Sequence, residues 1–270
     1  MGFDDINRRG IVLLGCGKMG SALLRGWLDR GLDPGAVHVR DPAAPDWLRG
    51  AGVDPDAAAP ADPAVVLVAV KPQMMPESLP AVAGHGGGGT LFVTIAAGIP
   101  LARFEAALGA GTPVLRAMPN TPAAIGRGIT ALIGNAQVDE HAMALSEALL
   151  AAVGETVRLA DEAQMDAVTG VSGSGPAYVF HMIEALAAAG EAEGLAADLA
   201  MRLAAATVSG AGALAAESGD SPAQLRENVT SPAGTTAAGL AVLMDPAEGL
   251  PPLMRRTVAA AAARARELGG

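Results

Sequence analysis

The feature that most constrains the fold is a glycine-rich turn placed between a short apolar run and a helical pattern. The run Ile11–Leu14 is followed directly by Gly15-x-Gly17-x-x-Gly20, and apolar residues then recur at helical spacing. A strand, a tight turn and a helix in this order are typical of a dinucleotide-binding unit, in which the pyrophosphate lies on the helix N-terminus. A second predicted strand ends in Asp41, 21 residues after Gly20, where an acidic residue would meet the adenosine ribose. This context predicts dinucleotide binding, although the hexapeptide alone also fits a purely structural turn in a chain with 35 glycines.

Apolar runs of strand length alternate with helical segments through the first half of the chain. Besides residues 11–14, these runs occupy residues 37–40, 65–70, 91–95, 114–117 and 129–133. The run VVLVAV at 65–70 is apolar throughout, as a strand covered on both faces should be. The alternation predicts an α/β chain whose N-terminal domain, residues 1–159, is a Rossmann doubly wound parallel sheet with right-handed crossovers.

From about residue 160 the pattern changes to long segments rich in alanine, leucine and methionine. The clearest are 178–189, 199–214 and 253–268, and they predict an all-α C-terminal dimerisation domain over residues 160–270. Its helices carry few charges, for example LAAATV at 203–208, and a helix that is apolar nearly all round must be buried on all sides. A domain of this size hardly provides that cover alone, so we expect a homodimer. An unusually apolar monomeric bundle is the alternative.

The charge balance and the rare residue types exclude several classes of partner. The chain has 28 acidic and 18 basic residues, a net charge of −10, and no basic cluster for a phosphate backbone, so nucleic acid is not expected. Cys16 is the only cysteine and the four histidines are scattered, which predicts neither a disulfide nor a metal site. Residues 1–10 lack the apolar run of a signal peptide, and the apolar stretches are interrupted before they reach the length of a membrane span. We therefore expect a cytoplasmic protein with no membrane partner.

The turns that follow the strands are candidate binding segments, because ligands of doubly wound sheets lie outside the carboxyl ends of the strands. Their small residues and prolines would let a flat nicotinamide approach the backbone. In chain order they are AVKP at 69–72, AAG at 96–98 and MPNTP at 118–122. Two segments rich in serine, threonine and glycine, 168–178 and 228–236, adjoin helices of the second half. Each fits either a site for a small anion or an ordinary helix cap.

Three longer motifs carry a resemblance to a known family. They are RAMPNTP at 116–122, DAVTGVSGSGPAY at 166–178 and ENVTSPAGTT at 227–236, with the AVKP and AAG turns in the expected order. With these motifs the chain resembles the pyrroline-5-carboxylate reductase family nearly from end to end. The resemblance implies that NADPH or NADH in the first domain reduces 1-pyrroline-5-carboxylate, a cyclic imine with one carboxylate, to L-proline, the last step of proline biosynthesis. It also implies a homodimer of intertwined helical domains that often assembles further into a homodecamer.

The resemblance and the residue chemistry together define the candidate site. Thr236 is the candidate catalytic residue, a hydrogen-bond donor and proton source beside the imine nitrogen or the carboxylate, in a turn that faces the nicotinamide. Glu162 and Asn228 are assigned from the resemblance alone. The candidate substrate-binding residues are Glu162, Ser231, Gly234, Thr235 and Thr236. The candidate cofactor-binding residues are Leu14, Gly15, Cys16, Gly17, Lys18, Met19, Gly20, Arg40, Asp41, Asp56, Ala69, Val70, Lys71, Pro72, Ala96, Ala97, Asn120 and Asn228.

Three positions depart from the family pattern. Ala233 stands where a second glycine is usual, Ser221 precedes Pro222 where histidine is usual, and Asp56 occupies a position often filled by asparagine. None of the three removes a group that the reduction requires.

The end of the second strand, Arg40-Asp41, leaves two interpretations of the coenzyme preference open. The Asp41 carboxylate could accept hydrogen bonds from the ribose hydroxyls of NADH and repel the 2′-phosphate of NADPH, which Arg40 could instead bind. Alternatively, Asp41 only caps the turn before Pro42. We predict that both coenzymes are used and that any preference for NADPH is weak.

Two other functions fit part of the pattern. A dehydrogenase of the 3-hydroxyacid or 6-phosphogluconate type shares the domain order but needs a lysine base in the helical domain, and no lysine follows Lys71. A nucleotide-sensing protein without catalysis is the other alternative. The intact SGSGP and Thr235-Thr236 segments argue against it.

Overall fold

The computed structural model describes residues 3–269 and divides the chain into two compact units. The first unit comprises the chain up to Gly173 together with the residues from Ala261 onwards, and the second is Ser174–Ala260. The division therefore differs from the expected boundary between residues 159 and 160. Residues 160–173 belong with the sheet because Glu162 bonds to Arg116 there and Ser172 bonds to Asn120.

The first unit is built on a seven-stranded sheet. Its strands are β1 Ile11–Leu14, β2 Val37–Arg40, β3 Val65–Val68, β4 Leu91–Thr94, β5 Val114–Met118, β6 Gly128–Gly134 and β7 Gly154–Arg158. Their order across the sheet is β2-β1-β3-β4-β5-β6-β7, and all neighbours are parallel except β5 and β6. The strand order reverses at β1, which is the position where doubly wound sheets bind their ligands.

Two features of this Rossmann sheet differ from the sequence-based expectation. Strand β6 is antiparallel to β5, because only residues 119–127 connect the two and a parallel return needs a crossover of about a dozen residues or more. Strand β7 is not predicted by the sequence. It lies at the sheet edge, and its sequence GETVR forms no apolar run.

Helices and short turns cover both faces of the sheet. The helices of the first unit are α1 Asp4–Arg9, α2 Lys18–Asp29, α3 Trp47–Gly50, α4 Met75–Ser78, α5 Leu101–Leu108, α6 Glu140–Leu150 and α7 Met165–Val168. Single 3₁₀ turns occupy Pro34–Ala36, Pro72–Met74, Leu79–Ala81, Ala83–His85, Thr121–Ile125, Ala151–Val153 and Glu162–Gln164.

The core lies on the two faces of the sheet, which explains the apolar runs of its central strands. On one face, Leu13 of β1 and Trp27 of α2 belong to one buried cluster. On the other face, Val66 of β3 and Phe104 of α5 belong to a second buried cluster. Trp27 satisfies its buried indole N–H by donating to the Leu149 carbonyl at 2.8 Å. The packing of α2 fixes its first turn at the carboxyl end of β1.

Within residues 174–260 every regular element is a helix, as predicted. The helices are α8 Gly175–Ala192, α9 Ala197–Glu217, α10 Pro222–Asn228 and α11 Thr235–Leu243, followed by α12 Leu250–Gly269, which continues into the first unit. Helices α8 and α9 pack through a small cluster of Ala187, Ala200 and Ala204, with Ile183 beside it. This cluster is much smaller than the core of the first unit.

Large apolar side chains lie on the surface of the second unit. Phe180 of α8 is 59% exposed, Leu203 of α9 48% and Val242 of α11 76%. Among the described residues, α9 is the one helix that is long and apolar enough to cross a membrane, by length and composition alone. Only 11% of the residues in its apolar stretch are buried. An apolar surface of this extent marks an interaction site.

Candidate active site

The glycine turn after β1 has a backbone that leaves room for a ligand. Gly15 has a φ of +93°, a conformation that favours glycine, and a Cβ there would lie 3.0 Å from the Ala69 carbonyl group. A Cβ on Gly20 would overlap the Gly15 carbonyl oxygen, so α2 can begin this close to the turn only with glycine at that position. No atom lies within 4 Å of the place where a Cβ on Gly17 would be. The space beside Gly17 is therefore open, and a ligand could reach the backbone there.

Helix α2 directs free backbone donors toward this space. It begins at Lys18, and Gly17 is an N-cap that offers no side-chain acceptor. The first N–H groups of a helix have no intrahelical partner, and the dipole adds positive potential at the same end. Lys18 itself is exposed. These groups fit the pyrophosphate of a dinucleotide.

Asp41 supports the glycine turn from the end of β2. Its Oδ2 accepts a hydrogen bond from the Cys16 N–H at 2.6 Å, and its Oδ1 accepts one from the Ala43 N–H at 2.8 Å. The second bond is a cap of the turn before Pro42, and the first ties the carboxylate to the turn after β1. Each carboxylate oxygen keeps a lone pair for another donor, such as a ribose hydroxyl. The neighbouring Arg40 is exposed.

Two further predicted cofactor residues, Cys16 and Asp56, make local contacts. Burial raises the pKa of the Cys16 thiol, and the Ser21 hydroxyl 3.5 Å away offsets part of this effect. The thiol is therefore protonated at neutral pH, and the residue contributes to the turn through its backbone N–H. Asp56 forms an ion pair with Arg49 at 2.5 Å, with its side chain 78% exposed.

The turns after β3 and β4 lie at the same edge of the sheet as the glycine turn. The Ala69 N–H donates to the Leu14 carbonyl at 2.8 Å, which joins the turn after β3 to the end of β1. Ala96, in the turn after β4, is buried, and Gly98, with a φ of +79°, lies against Leu268 of α12. The structure thus brings together the predicted cofactor-binding segments at residues 14–20, 40–41, 69–72 and 96–97.

Asn120 bridges two segments of the first unit. Its Oδ1 accepts a hydrogen bond from the Ile129 N–H at 3.0 Å, and its Nδ2 donates to the Ser172 hydroxyl at 3.2 Å. Ser172 lies in a π-helical turn, Thr169–Gly173, at the start of the SGSGP motif. Such turns are frequent at functional sites, but no sequence pattern announces them, so the bridge is not predictable from the chain alone.

A buried ion pair joins β5 to the segment after β7. The Arg116 side chain is 6% exposed, and its Nη1 donates to Oε1 of Glu162 at 2.8 Å. The same oxygen accepts a hydrogen bond from the N–H of Leu101, the first residue of α5, at 2.9 Å. The family resemblance assigns Glu162 to the substrate, and no role of Arg116 is predicted from the sequence. The signal that points to a buried pair is an arginine inside the apolar strand VLRAM.

The predicted substrate turn of the second unit directly precedes α11. Gly234 is the N-cap, so Thr235 and Thr236 occupy the first helical turn, where backbone N–H groups are free. Ala233 has a φ of +58°, in the left-handed region that favours glycine. A Cβ on Gly234 would overlap the Ser231 hydroxyl oxygen. The conformation of Ala233 is a physical reason for the glycine that is usual at this position.

Helix α10, before this turn, holds two further residues named from the sequence. Ser221 caps it by accepting a hydrogen bond from the Gln224 N–H at 3.2 Å, which is a structural use of the residue that replaces histidine. Asn228 is its last residue, and the Asn228 Oδ1 accepts from the Gln224 Nε2 at 2.8 Å. Within residues 3–269 no cluster of His, Cys, Asp and Glu side chains could hold a metal ion.

Comparison with known proteins gives two family matches. Residues 162–268 match the family described as pyrroline-5-carboxylate reductase dimerisation. Residues 10–98 match the family described as NADP oxidoreductase, coenzyme F420-dependent. The first match contains the turn before α11, and the second contains the glycine turn.

Full-length relatives and solved structures agree with these matches. The pyrroline-5-carboxylate reductase of Pseudomonas aeruginosa is 42% identical over 96% of both chains, and that of Synechocystis is 46% identical over 76% of this chain and 75% of its own. The structure of a pyrroline-5-carboxylate reductase from Coxiella burnetii has a TM-score of 0.90 at 32% identity, over 97% of this chain and 99% of that one. The Plasmodium falciparum pyrroline carboxylate reductase, solved with NADP bound, has a TM-score of 0.82 at 25% identity, over 98% and 99%. The chain belongs to the pyrroline-5-carboxylate reductase family.

Proposed function

We propose that this chain reduces 1-pyrroline-5-carboxylate to L-proline with NADPH or NADH, the last step of proline biosynthesis. The observation that carries the proposal is the presence, in one chain, of an open glycine turn at α2 and a Thr235-Thr236 turn at α11. Family membership supports the assignment of both. The test is oxidation of each coenzyme by the purified protein. Oxidation that depends on the imine supports the proposal, and a protein that binds the coenzyme without imine-dependent turnover is a nucleotide sensor instead.

The first unit provides the coenzyme site in this proposal. The N–H groups of the first turn of α2 bind the pyrophosphate, residues 40–41 bind the adenosine end, and the turns after β3 and β4 flank the nicotinamide. The bound coenzyme supplies the hydride that reduces the imine carbon. Asn120 and Asn228 remain proposed coenzyme contacts. The Asn120 amide donates one hydrogen to Ser172 and Asn228 accepts through Oδ1, so each side-chain amide keeps an N–H for the coenzyme.

The second unit provides the substrate site. The backbone N–H groups of residues 234–236, with the dipole of α11, bind the substrate carboxylate. The Thr236 hydroxyl donates a hydrogen bond to the nitrogen of the neutral imine and serves as the proton source there, and solvent restores the hydroxyl proton. A cyclic imine can be protonated before reduction, so positioning and electrostatics are sufficient and no strong general acid is needed. A dehydrogenase that requires a lysine base does not fit, since the chain has no lysine after Lys71.

The assembly is a homo-oligomer, and we propose a homodimer as its basic unit, with a homodecamer as the higher assembly. The exposed apolar side chains of α8, α9 and α11 would be covered by a second copy and not by a lipid bilayer. The net charge of −10 argues against nucleic acid. We place the protein in the cytoplasm on the basis of its expected soluble assembly.

A charge placed in the proposed interface should break the assembly. We expect Leu203→Glu, on α9, to be monomeric or aggregated, because a second copy would have to bury an unpaired carboxylate. Ala110→Glu adds the same charge to an exposed loop of the first unit and should leave the mass unchanged. Light scattering measures both variants. A Leu203→Glu protein with the wild-type mass would place the interface elsewhere.

The coenzyme preference should depend on residues 40 and 41 in opposite directions. Each unit-charge repulsion at roughly 4 Å amounts to ~1 kcal/mol in water, or about fivefold in kcat/KM. We expect Asp41→Ser to shift the kcat/KM ratio toward NADPH, and Arg40→Gln to shift it toward NADH. Asp41→Ser should also weaken the binding of both coenzymes, because the Cys16 N–H in the glycine turn loses its acceptor. A wild-type preference for NADPH above about a hundredfold would exclude the proposed role of Asp41.

A further inference from the structure

The buried ion pair between Arg116 and Glu162 lies close to the turn after β4. Arg116 pairs in register with Thr94, the last residue of β4. Its side chain is 6% exposed, and a guanidinium buried to this degree needs an anionic partner, which Glu162 provides at 2.8 Å. The pair therefore places a fixed carboxylate beneath the carboxyl edge of the sheet.

The same carboxylate caps helix α5 from a distant segment. The N-cap of α5 is Pro100, which has no side-chain acceptor, and the N–H of Leu101 bonds to Glu162 Oε1 at 2.9 Å. An acceptor at this position satisfies one of the free N–H groups of the helix and complements its dipole. Glu162 thus takes the place of an N-cap side chain for α5.

The turn at residues 96–100 is held at both of its ends as a result. At its start the Ala96 N–H bonds to the Thr94 hydroxyl at 3.2 Å, and at its end the Leu101 N–H bonds to Glu162. Gly98, between them, lies against Leu268. Loss of the Glu162 contact would free the second end while leaving the first in the sheet.

We propose that Glu162, held by Arg116, is a positioning residue for the coenzyme-binding turn after β4 and does not bind the substrate; this rests on the proposed reductase function. Its Oε1 is already shared between two donors, and both donors belong to the first unit. The carboxylate acts on the coenzyme through Leu101, the second end of the turn, and so through the path of Ala97 between the two held ends. Its removal should weaken coenzyme binding and leave the affinity for the imine unchanged.

The test compares Glu162→Ala and Glu162→Gln with Glu147→Gln. Glu147 also forms an Arg–carboxylate pair, with Arg158 at 2.7 Å, although the Arg158 side chain is 43% exposed. It controls for the loss of an ion pair, because Glu147 on α6 and Arg158 on β7 lie toward the sheet edge opposite to β2 and β1. The coenzyme Kd is measured by fluorescence titration without the imine, and the imine KM by steady-state kinetics at saturating coenzyme. Amide hydrogen exchange is measured on the free protein. Imine-dependent turnover of the wild type is established first, so that failure of the function and failure of this inference are distinguishable.

We expect Glu162→Ala to raise the coenzyme Kd about tenfold and to speed exchange of residues 96–101 at least tenfold, with the imine KM within twofold of wild type. Glu162→Gln, which keeps an acceptor for Leu101, should restore most of the affinity, and Glu147→Gln should change neither quantity. A raised imine KM with an unchanged coenzyme Kd would make Glu162 a substrate ligand. Exchange that increases equally throughout the first unit, with both constants unchanged, would make the pair purely structural; either result overturns the inference.

Discussion

Replacing Thr236 by alanine should lower kcat/KM for the imine by roughly tenfold to a hundredfold, since a hydrogen bond to a charged group is worth about 1.5–3 kcal/mol. Coenzyme Kd should stay close to the wild-type value, because Thr236 belongs to the second unit and the glycine turn to the first. The Thr236 hydroxyl belongs to an exposed side chain. Its loss should therefore leave Tm unchanged.

A conservative variant separates the hydroxyl from the shape of the side chain. Thr236→Ser keeps the donor and loses only a methyl group, so it should recover most of the lost kcat/KM. Steady-state kinetics with each coenzyme at saturation, together with coenzyme titration, measure the two effects independently. Wild-type kinetics in Thr236→Ala would remove the residue from the catalytic site.

The central strands of the sheet were predictable because burial on both faces leaves a continuous apolar run. The edge was not. Strand β7 is half covered, so its sequence contains Glu155 and Arg158, and its pairing with β6 depends on the crossover through α6 and not on its own composition. The antiparallel direction of β6 depends on the length of the connection that precedes it. That connection, residues 119–127, is too short for a parallel crossover.

The candidate site shows a similar division between backbone and side-chain information. The glycine turn was predictable because Gly15 and Gly20 answer local steric demands, while Gly17 leaves open space beside the backbone. The partners of Asp41, Asn120 and Glu162 were not, since all three bond to groups that are remote in sequence and brought near by the sheet. A carboxylate near a predicted ligand can thus support the backbone of the site without contacting the ligand.

The turn before α11, proposed as the substrate site, carries a conformational cost that the sequence alone does not show. Ala233 adopts a φ of +58°, and a residue with a Cβ pays about 1 kcal/mol or more there relative to glycine. The cost is met in a turn that ends at the N-cap of α11, directly before Thr235 and Thr236. The departure from the usual glycine therefore costs conformational free energy and removes no polar group from the turn.

Two alanine substitutions in the glycine turn should separate coenzyme binding from folding. Gly17 has an extended backbone with a φ of −67°, which alanine also adopts, and a Cβ there would meet no protein atom within 4 Å. Gly17→Ala should therefore fold with a nearly unchanged Tm. The added methyl group would occupy the space in which the pyrophosphate approaches the backbone, so we expect the Kd of NADPH and of NADH to rise at least about tenfold, or ~1.4 kcal/mol.

Gly20→Ala should lose both stability and coenzyme affinity, because its Cβ would overlap the Gly15 carbonyl oxygen. A backbone atom cannot move aside as the end of a side chain would. Forcing a methyl group into a packed site costs about 1–3 kcal/mol, and the first turn of α2 must shift away from β1 to accept it. Thermal unfolding and fluorescence titration of the two variants measure stability and affinity separately. If Gly17→Ala binds both coenzymes as the wild type does, the pyrophosphate does not lie on the backbone at Gly17, and the first turn of α2 is not its binding site.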